Sequence, residues 1–294
     1  MSARPLFARS AATAALSLAV LAGCGSQSAP QSASGPAAAT PGPSSGTPDD
    51  RRIQQIKADC MKQKGFSYIP FVAPPQKQTE LERKVAEGDY EATRELRAKY
   101  GFQVFAAHVY PDDTASGALV LEAFVTDPNE GIRRALNRTQ AEVHREAEDV
   151  CFIKAVKEVL HKDTPSRLDY LKQRVTKTRQ IRERELDGDP GLVELAMSFG
   201  DCLKAKGYPV PSLKPTALAV RGMDAFREEE GKLGPDDSGS VPDLTPAQAR
   251  PYLTREIKAA LDDLECGKDF YASYWPKDRE IGLRVEREFG QNMR

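Results

Sequence analysis

The chain has 294 residues, of which 29% are charged and 40% are hydrophobic, and its formal net charge is -1. This length accommodates one large domain or two small ones, and the composition supplies a globular core. The charge is too balanced to suggest nucleic acid as a partner, because nucleic-acid binding calls for a strongly basic face.

The first 23 residues are predicted to be a signal peptide. Arg4 and Arg9 form a positively charged start, and residues 11–22 form an apolar run too short to span a bilayer. The run ends in Leu21-Ala22-Gly23-Cys24. This ending resembles the bacterial lipoprotein signal, which implies cleavage before Cys24 and attachment of palmitate-like acyl chains there. The alternative is an ordinary cleaved signal with a chance cysteine.

Residues 24–48 are predicted to be the lipidated cysteine and a disordered tether. Between Gly25 and Pro48 the chain contains only Gly, Ser, Gln, Ala, Pro and Thr. Such a segment has little to bury and no charge to pair. As a random coil of this length, its ends would lie roughly 25–30 Å apart.

A helix is predicted to start at Thr47-Pro48-Asp49-Asp50, with a Thr cap, a Pro in the first turn and acidic residues after it. It ends in Cys60-Met61-Lys62-Gln63-Lys64-Gly65-Phe66, and the ending returns as Cys202-Leu203-Lys204-Ala205-Lys206-Gly207-Tyr208. Glycine in the left-handed conformation and lysine in the last turn are typical of a helix C-terminus. The repeat predicts two duplicated helical units, 49–189 and 190–294.

Four cysteines remain after Cys24, and an exported chain with an even number predicts disulfides. Capping boxes at Asn137 and Thr245 each open a helix that runs to a cysteine. Of the three possible pairings, the duplication favours Cys60–Cys151 and Cys202–Cys266. A zinc site is disfavoured because close cysteine pairs are missing, and a redox pair because there is no C-x-x-C motif.

The predicted fold class is mainly α with a minor β-hairpin, in two disulfide-stapled helical units after the tether. Phe102–Tyr110 and Leu119–Val125 flank a turn-like segment and are the two predicted strands of the hairpin. A single charged helix is predicted over Thr79–Tyr100.

The sequence predicts no catalytic residue, no cofactor and no metal site. G-x-S-x-G, Walker and G-x-G-x-x-G motifs are missing. His108, His144 and His161 have no zinc-like spacing and are predicted at the surface or at helix ends.

Two other clusters suggest binding. Lys172 to Arg184 contains six basic residues in thirteen and one acidic residue. It is a candidate site for anionic lipid headgroups or wall polyanions, with a merely solvated helix face as the alternative. The second cluster comprises Phe270, Tyr271, Tyr274 and Trp275. Packing around the disulfide is favoured for it over a glycan-binding platform.

The Cys-Met-x-x-x-Gly-aromatic ending at residues 60–66, the Asp127-Pro128-Asn129 segment and the later cysteine resemble a set of secreted actinobacterial lipoproteins without an assigned activity. The second unit differs from this pattern in having Leu203 in place of Met. Some of these lipoproteins are thought to accompany envelope transport systems. The predicted function is therefore a lipid-anchored, non-catalytic binding or accessory module on the extracytoplasmic face of the cell membrane. Its candidate partners are membrane lipid through Cys24 and an envelope transporter or cell-wall component. The alternatives are a solute-binding lipoprotein of an importer and an envelope hydrolase.

Overall fold

The computed structural model describes residues 46–74, 78–120, 126–234 and 242–290. The predicted signal peptide, Cys24 and most of the tether lie outside these residues. Within them the chain is mainly α-helical and contains no strand. The helices are α1 (Pro48–Gln63), α2 (Glu80–Ala86), α3 (Tyr90–Tyr100), α4 (Ala106–Val109), α5 (Asn129–Arg134), α6 (Arg138–Leu160), α7 (Arg167–Glu185), α8 (Pro190–Ala205), α9 (Pro215–Gly231), α10 (Pro246–Cys266) and α11 (Lys268–Phe289). A 3-10 turn covers Thr114–Ser116.

Helix starts follow the predicted local signals. Thr47 closes a capping box with Asp50, since its hydroxyl accepts from the Asp50 N–H at 3.1 Å and its own N–H donates to the Asp50 carboxylate at 2.9 Å. Asn137 and Thr245 form equivalent boxes at the starts of α6 and α10. Each box satisfies N–H groups that have no partner inside the helix. The predicted starts of α1, α6 and α10 are confirmed.

The ends of α1 and α8 have the same geometry. Both helices contain sixteen residues with Pro in the first turn. Gly65 and Gly207 follow them with φ of 83° and 85°. The N–H groups of Phe66 and Tyr208 then donate to the carbonyl five residues earlier, at 2.9 and 3.0 Å. This is the Schellman arrangement, in which the glycine turns the chain and satisfies the last carbonyls.

One large core gathers residues from both predicted units. Ile53 of α1 and Phe152 of α6 are buried in the same cluster as Leu192 of α8 and Phe270 of α11. A smaller cluster forms around Phe105, against α10. The described residues together make one compact unit, and the predicted boundary at 189/190 stays a prediction. None of the described helices has the length and apolarity required to cross a membrane.

The predicted β-hairpin is wrong in the part that the structure describes. Phe102–Tyr110 forms a turn followed by α4 instead of a strand. Its N–H groups at Phe102, Val104 and Phe105 donate to the buried carboxylate of Glu256. These groups therefore have partners without a second strand. Residues 119 and 120 are not in a strand either, and residues 121–125 lie outside the described residues.

The predicted helix over Thr79–Tyr100 is two helices, α2 and α3. Gly88 lies between them with φ of 82°, a left-handed conformation that interrupts a helix. Asp89 then caps α3, because its carboxylate accepts from the Ala92 N–H at 2.8 Å. Glycine followed by a capping aspartate therefore ends one helix and begins the next.

Candidate binding surface on helix α7

The cysteines are joined as the duplication predicts. Cys60 of α1 bonds to Cys151 of α6, and Cys202 of α8 bonds to Cys266 of α10, each with 5.5 Å between the Cα atoms. Each disulfide thus ties the first helix of a predicted unit to its later long helix. Cys24, the predicted lipidation site, lies outside the described residues.

The histidines and the aromatic cluster lie in structural positions. His161 ends α6 in the left-handed conformation, as predicted for a helix terminus. The surface prediction is wrong for His144, which is buried edge-to-face against Phe66, 5.1 Å between ring centroids. His108 Nε2 lies 2.6 Å from the Glu230 carboxylate. Of the aromatic cluster, residues 270, 271 and 274 are buried in the large core, with residue 275 packed against it, so this cluster is not a surface platform.

A buried ion pair lies beside the first disulfide, between α1 and α6. The Lys57 side chain is only 2% exposed, and its Nζ lies 2.6 Å from the Glu148 carboxylate. Burial lowers the pKa of Lys57, although Glu148 opposes this. Burial is the largest single influence on Glu148 and would raise its pKa, but the charge and hydrogen bond of Lys57 together with the charges of Arg133 and Arg167 outweigh it, so the pKa lies below its ordinary value. Each group thus favours the charged form of the other, which offsets part of the cost of burying both charges.

The extended segment after α1, which contains Tyr68 and Ile69, contacts Lys57 and is held in place by hydrogen bonds. The Tyr68 ring lies 4.6 Å from Lys57 Nζ, and its hydroxyl donates to the Gln54 side chain at 2.8 Å. Asn129 binds the backbone of Ile69 twice, accepting from its N–H at 2.7 Å and donating to its carbonyl at 2.9 Å. The Asp127-Pro128-Asn129 segment thus holds the extended chain after the first helix ending.

Asp263 is the centre of a second buried network. Its carboxylate accepts from Arg97 at 2.7 Å, from Tyr271 at 2.7 Å and from Arg221 at 3.2 Å. Arg97 also donates to the Ala260 carbonyl at 3.0 Å. Asp263 thereby connects α3, α9, α10 and α11. A carboxylate with this many donors is a packing element rather than a free base.

Glu256, also in α10, is fully buried and accepts three backbone N–H bonds of 2.7 to 2.9 Å from residues 102, 104 and 105. Burial raises its pKa, although the three N–H groups oppose this by stabilising the charged form. Gly101, with φ of 60°, lets the loop close on the carboxylate, since a Cβ there would meet the Glu256 Cγ at 2.7 Å. Sequence reasoning missed all three buried clusters, because nothing local marks a charged residue as buried.

Helix α7 carries the predicted basic segment and has the fewest buried residues among the described helices of sixteen or more residues. Of its nineteen residues only Tyr170 and Ile181 are buried. Leu168, Leu171 and Val175 are 61%, 38% and 68% exposed. Their spacing of three and four places them along one side of the helix. In α11, the matching helix of the second unit, six hydrophobic residues are buried instead.

The basic residues of α7 differ in how far they are neutralised. Arg182 makes two hydrogen bonds to Asp278, at 2.6 and 2.9 Å. Lys172 and Arg179 have acidic neighbours on α7 itself only at 3.6 and 3.8 Å, distances typical of weak surface pairs. Within the described ranges, Arg174 and Lys177 form no ion pair. The surface of α7 therefore keeps several cations available to an external anion.

Two open grooves of about 550 Å³ run along α7. One is lined by Leu171, Val175 and Ala217 together with Arg174 and Arg179, so apolar surface lies next to guanidinium groups. The other is lined mainly by polar residues of α7. Within the described residues, no group of three or more His, Cys, Asp or Glu side chains is placed to hold a metal ion.

We define the α7 surface as the apolar residues 168, 171 and 175 with the basic residues 172, 174 and 179. Its chemistry suits an anionic or amphiphilic partner, because it combines cations with exposed apolar side chains. No family model, curated protein or solved structure matches the chain.

Proposed function

We propose that this chain is a lipid-anchored protein of the extracytoplasmic face of the cell membrane. In this proposal Cys24 carries the anchor, and the helical domain is a non-catalytic binding or accessory module that binds an anionic partner through the α7 surface. The observation that carries it is the contrast between α7 and α11. Helix α11 buries six hydrophobic residues in the core and exposes Leu283, whereas α7 buries two residues and exposes Leu168, Leu171 and Val175 next to basic residues.

Two features support the location. The leader ends in Leu-Ala-Gly-Cys, the type of ending that lipoprotein processing requires. The two disulfides suit an oxidising compartment outside the cytoplasm. Candidate partners in that compartment are the membrane itself, a transporter and a wall component.

The anchor is tested by expressing the full chain and a Cys24→Ser variant in a bacterial host fed an alkyne analogue of palmitate. The expected result is labelling and membrane fractionation of the native chain only, with protease accessibility from outside. Equal labelling of the variant, or protection of the native protein in intact cells, would refute the location.

Binding through α7 is tested with a photo-crosslinking amino acid at Val175 in intact cells. Val150 on α6 is the matched control, because it is also a helical valine and is 51% exposed. The proposal expects Val175 to cross-link to an anionic lipid, a wall polymer or one envelope protein with an acidic surface. If both positions gave the same products in similar yield, α7 would have no special role.

A further inference from the structure

The side of α7 that carries the apolar residues also carries cations. At 100° per residue, Leu168, Leu171, Val175 and Arg179 fall within an arc of about 80°. Lys172 lies at the edge of this arc. Three exposed hydrophobic side chains bordered by basic ones form a stripe that water solvates poorly.

This combination distinguishes a lipid surface from a soluble polyanion. A polyanion would interact with the basic residues alone and would leave Leu168, Leu171 and Val175 in water. At a membrane surface, the apolar side chains enter the boundary between headgroups and acyl chains while lysine and arginine meet the phosphates. The groove beside the stripe adds apolar surface at Leu171 and Ala217, with Arg174 at its edge.

The first turn of α1 lies within electrostatic reach of α7. Ile53 of α1 and Tyr170 of α7 belong to the same core cluster. Asp50, in the first turn of α1, adds to the rise in the pKa of Tyr170, whose larger cause is burial. The described chain begins at residue 46, four residues before Asp50. An anchor at Cys24 would therefore hold the start of α1, and with it α7, near the bilayer.

We infer that the α7 surface docks the domain onto the anionic phospholipids of the membrane that holds the Cys24 anchor. This inference rests on the proposed function and names the partner class. As a random coil, the predicted tether holds the domain at an average distance of roughly 25–30 Å from the bilayer. Because the tether keeps the domain near the bilayer, its effective concentration at the surface is high, and even a weak interfacial affinity holds it there. The docked domain lies with α7 along the membrane plane.

The test uses the chain from residue 24 onward with Cys24→Ser, so that no acyl chain contributes; every described core residue lies within it. Binding is measured by co-sedimentation with vesicles of phosphatidylcholine containing about one third phosphatidylglycerol, and with pure phosphatidylcholine. The expected result is binding to the anionic vesicles that weakens with added salt.

Two α7 variants separate charge from apolar insertion. In the first, Lys172, Arg174 and Arg179 are each replaced by Glu. The partition coefficient should then fall at least about 100-fold, because each basic residue near such a surface contributes about fivefold or more. In the second, Leu168→Ser and Val175→Ser leave the charge unchanged. This variant should lose about tenfold or more.

The matched control replaces three exposed basic residues of α6, Arg138, Arg145 and Lys154, by Glu. It changes the net charge by the same amount as the first variant but should lower binding less than about threefold, because α6 is not the docking helix. Circular dichroism before sedimentation establishes that each variant is folded.

The outcomes discriminate between the two levels of the proposal. If the apolar variant bound as tightly as the parent, or the α6 variant lost as much as the α7 variant, docking on lipid would be refuted. If the parent protein bound neither kind of vesicle, but Val175 still cross-linked selectively to a wall polymer or protein in cells, the lipid inference would fail and the proposed function would stand. If the parent protein bound no vesicles and Val175 cross-linked no more selectively than Val150, both the lipid inference and the proposed binding through α7 would be overturned.

Discussion

Replacing Glu148 by Gln should destabilise the domain strongly, because Lys57 would remain buried without a counter-charge. The pair is 2.6 Å apart, and the two side chains are 2% and 14% exposed. Removing one partner of a buried ion pair costs about 3–5 kcal/mol of unfolding free energy. The nearest alternative carboxylate that acts on Lys57, Asp127, is a minor influence and already binds Arg133 at 2.7 Å.

Urea unfolding monitored by circular dichroism measures this effect with both disulfides intact. With a slope of about 2–3 kcal/mol per M, the midpoint should fall by about 1–2.5 M. Glu158→Gln is the matched control on the same helix. Glu158 also faces α1, where it lies 3.7 Å from Arg52, but these side chains are 48% and 65% exposed. An exposed pair of this kind contributes less than about 1 kcal/mol.

The pH dependence provides an independent check. In the variant, burial still lowers the pKa of Lys57 and Glu148 no longer opposes it. Between the lowered pKa of folded Lys57 and the ordinary lysine pKa of about 10.4, the unfolded chain binds more protons than the folded one. The free energy of unfolding should therefore rise with pH over this range. A stabilising buried pair is refuted if Glu148→Gln shifts the midpoint no more than Glu158→Gln. It is also refuted if the stability losses of Lys57→Met and Glu148→Gln are additive in the double variant.

Four further changes probe the fold by the same urea assay. Gly101→Ala should cost about 2–4 kcal/mol, because the left-handed backbone and the contact with a buried carboxylate both oppose a Cβ. Gly65→Ala, with the same type of φ but no neighbour within 4 Å, should cost only about 1 kcal/mol; equal losses would contradict this. Asn129→Ala should lower the free energy of unfolding by about 2–3 kcal/mol, because two backbone groups of Ile69 lose their partner. A loss below about 0.5 kcal/mol would show that these two hydrogen bonds do not stabilise the fold. Replacing Cys202 and Cys266 by Ala opens a loop of 64 residues and should cost up to about 4 kcal/mol, and an unchanged midpoint would argue against the bond.

Features specified by a few neighbouring residues could be predicted from the sequence. The capping box at Thr47 and the glycine endings at Gly65 and Gly207 depend on contacts within five residues, and the structure has them. The disulfide pairing is a long-range feature, yet the repeated ending made it predictable by assigning one early and one late cysteine to each unit.

Features that depend on partners distant in sequence were either not predicted or predicted wrongly. The apolar segment around Val104 and Phe105 has the composition of a strand, but its N–H groups bind Glu256, about 150 residues away in sequence. Lys57 and His144 are buried because α6 packs on α1 there. Lysine is ordinarily exposed, so its position within α1 gave no indication of this. The segment Lys172 to Arg184 was found by composition, but the structure was needed to show that Leu171 and Val175 are exposed beside it.

Because the disulfides link residue 60 to 151 and 202 to 266, they close two separate covalent rings. Residues 75–77 and 121–125 lie inside the first ring and residues 235–241 inside the second, so one proteolytic nick in any of them leaves a single covalently connected molecule. Helix α7 lies between the rings. Trypsin, which cleaves after lysine and arginine, would there split the protein into two chains held together by noncovalent contacts alone.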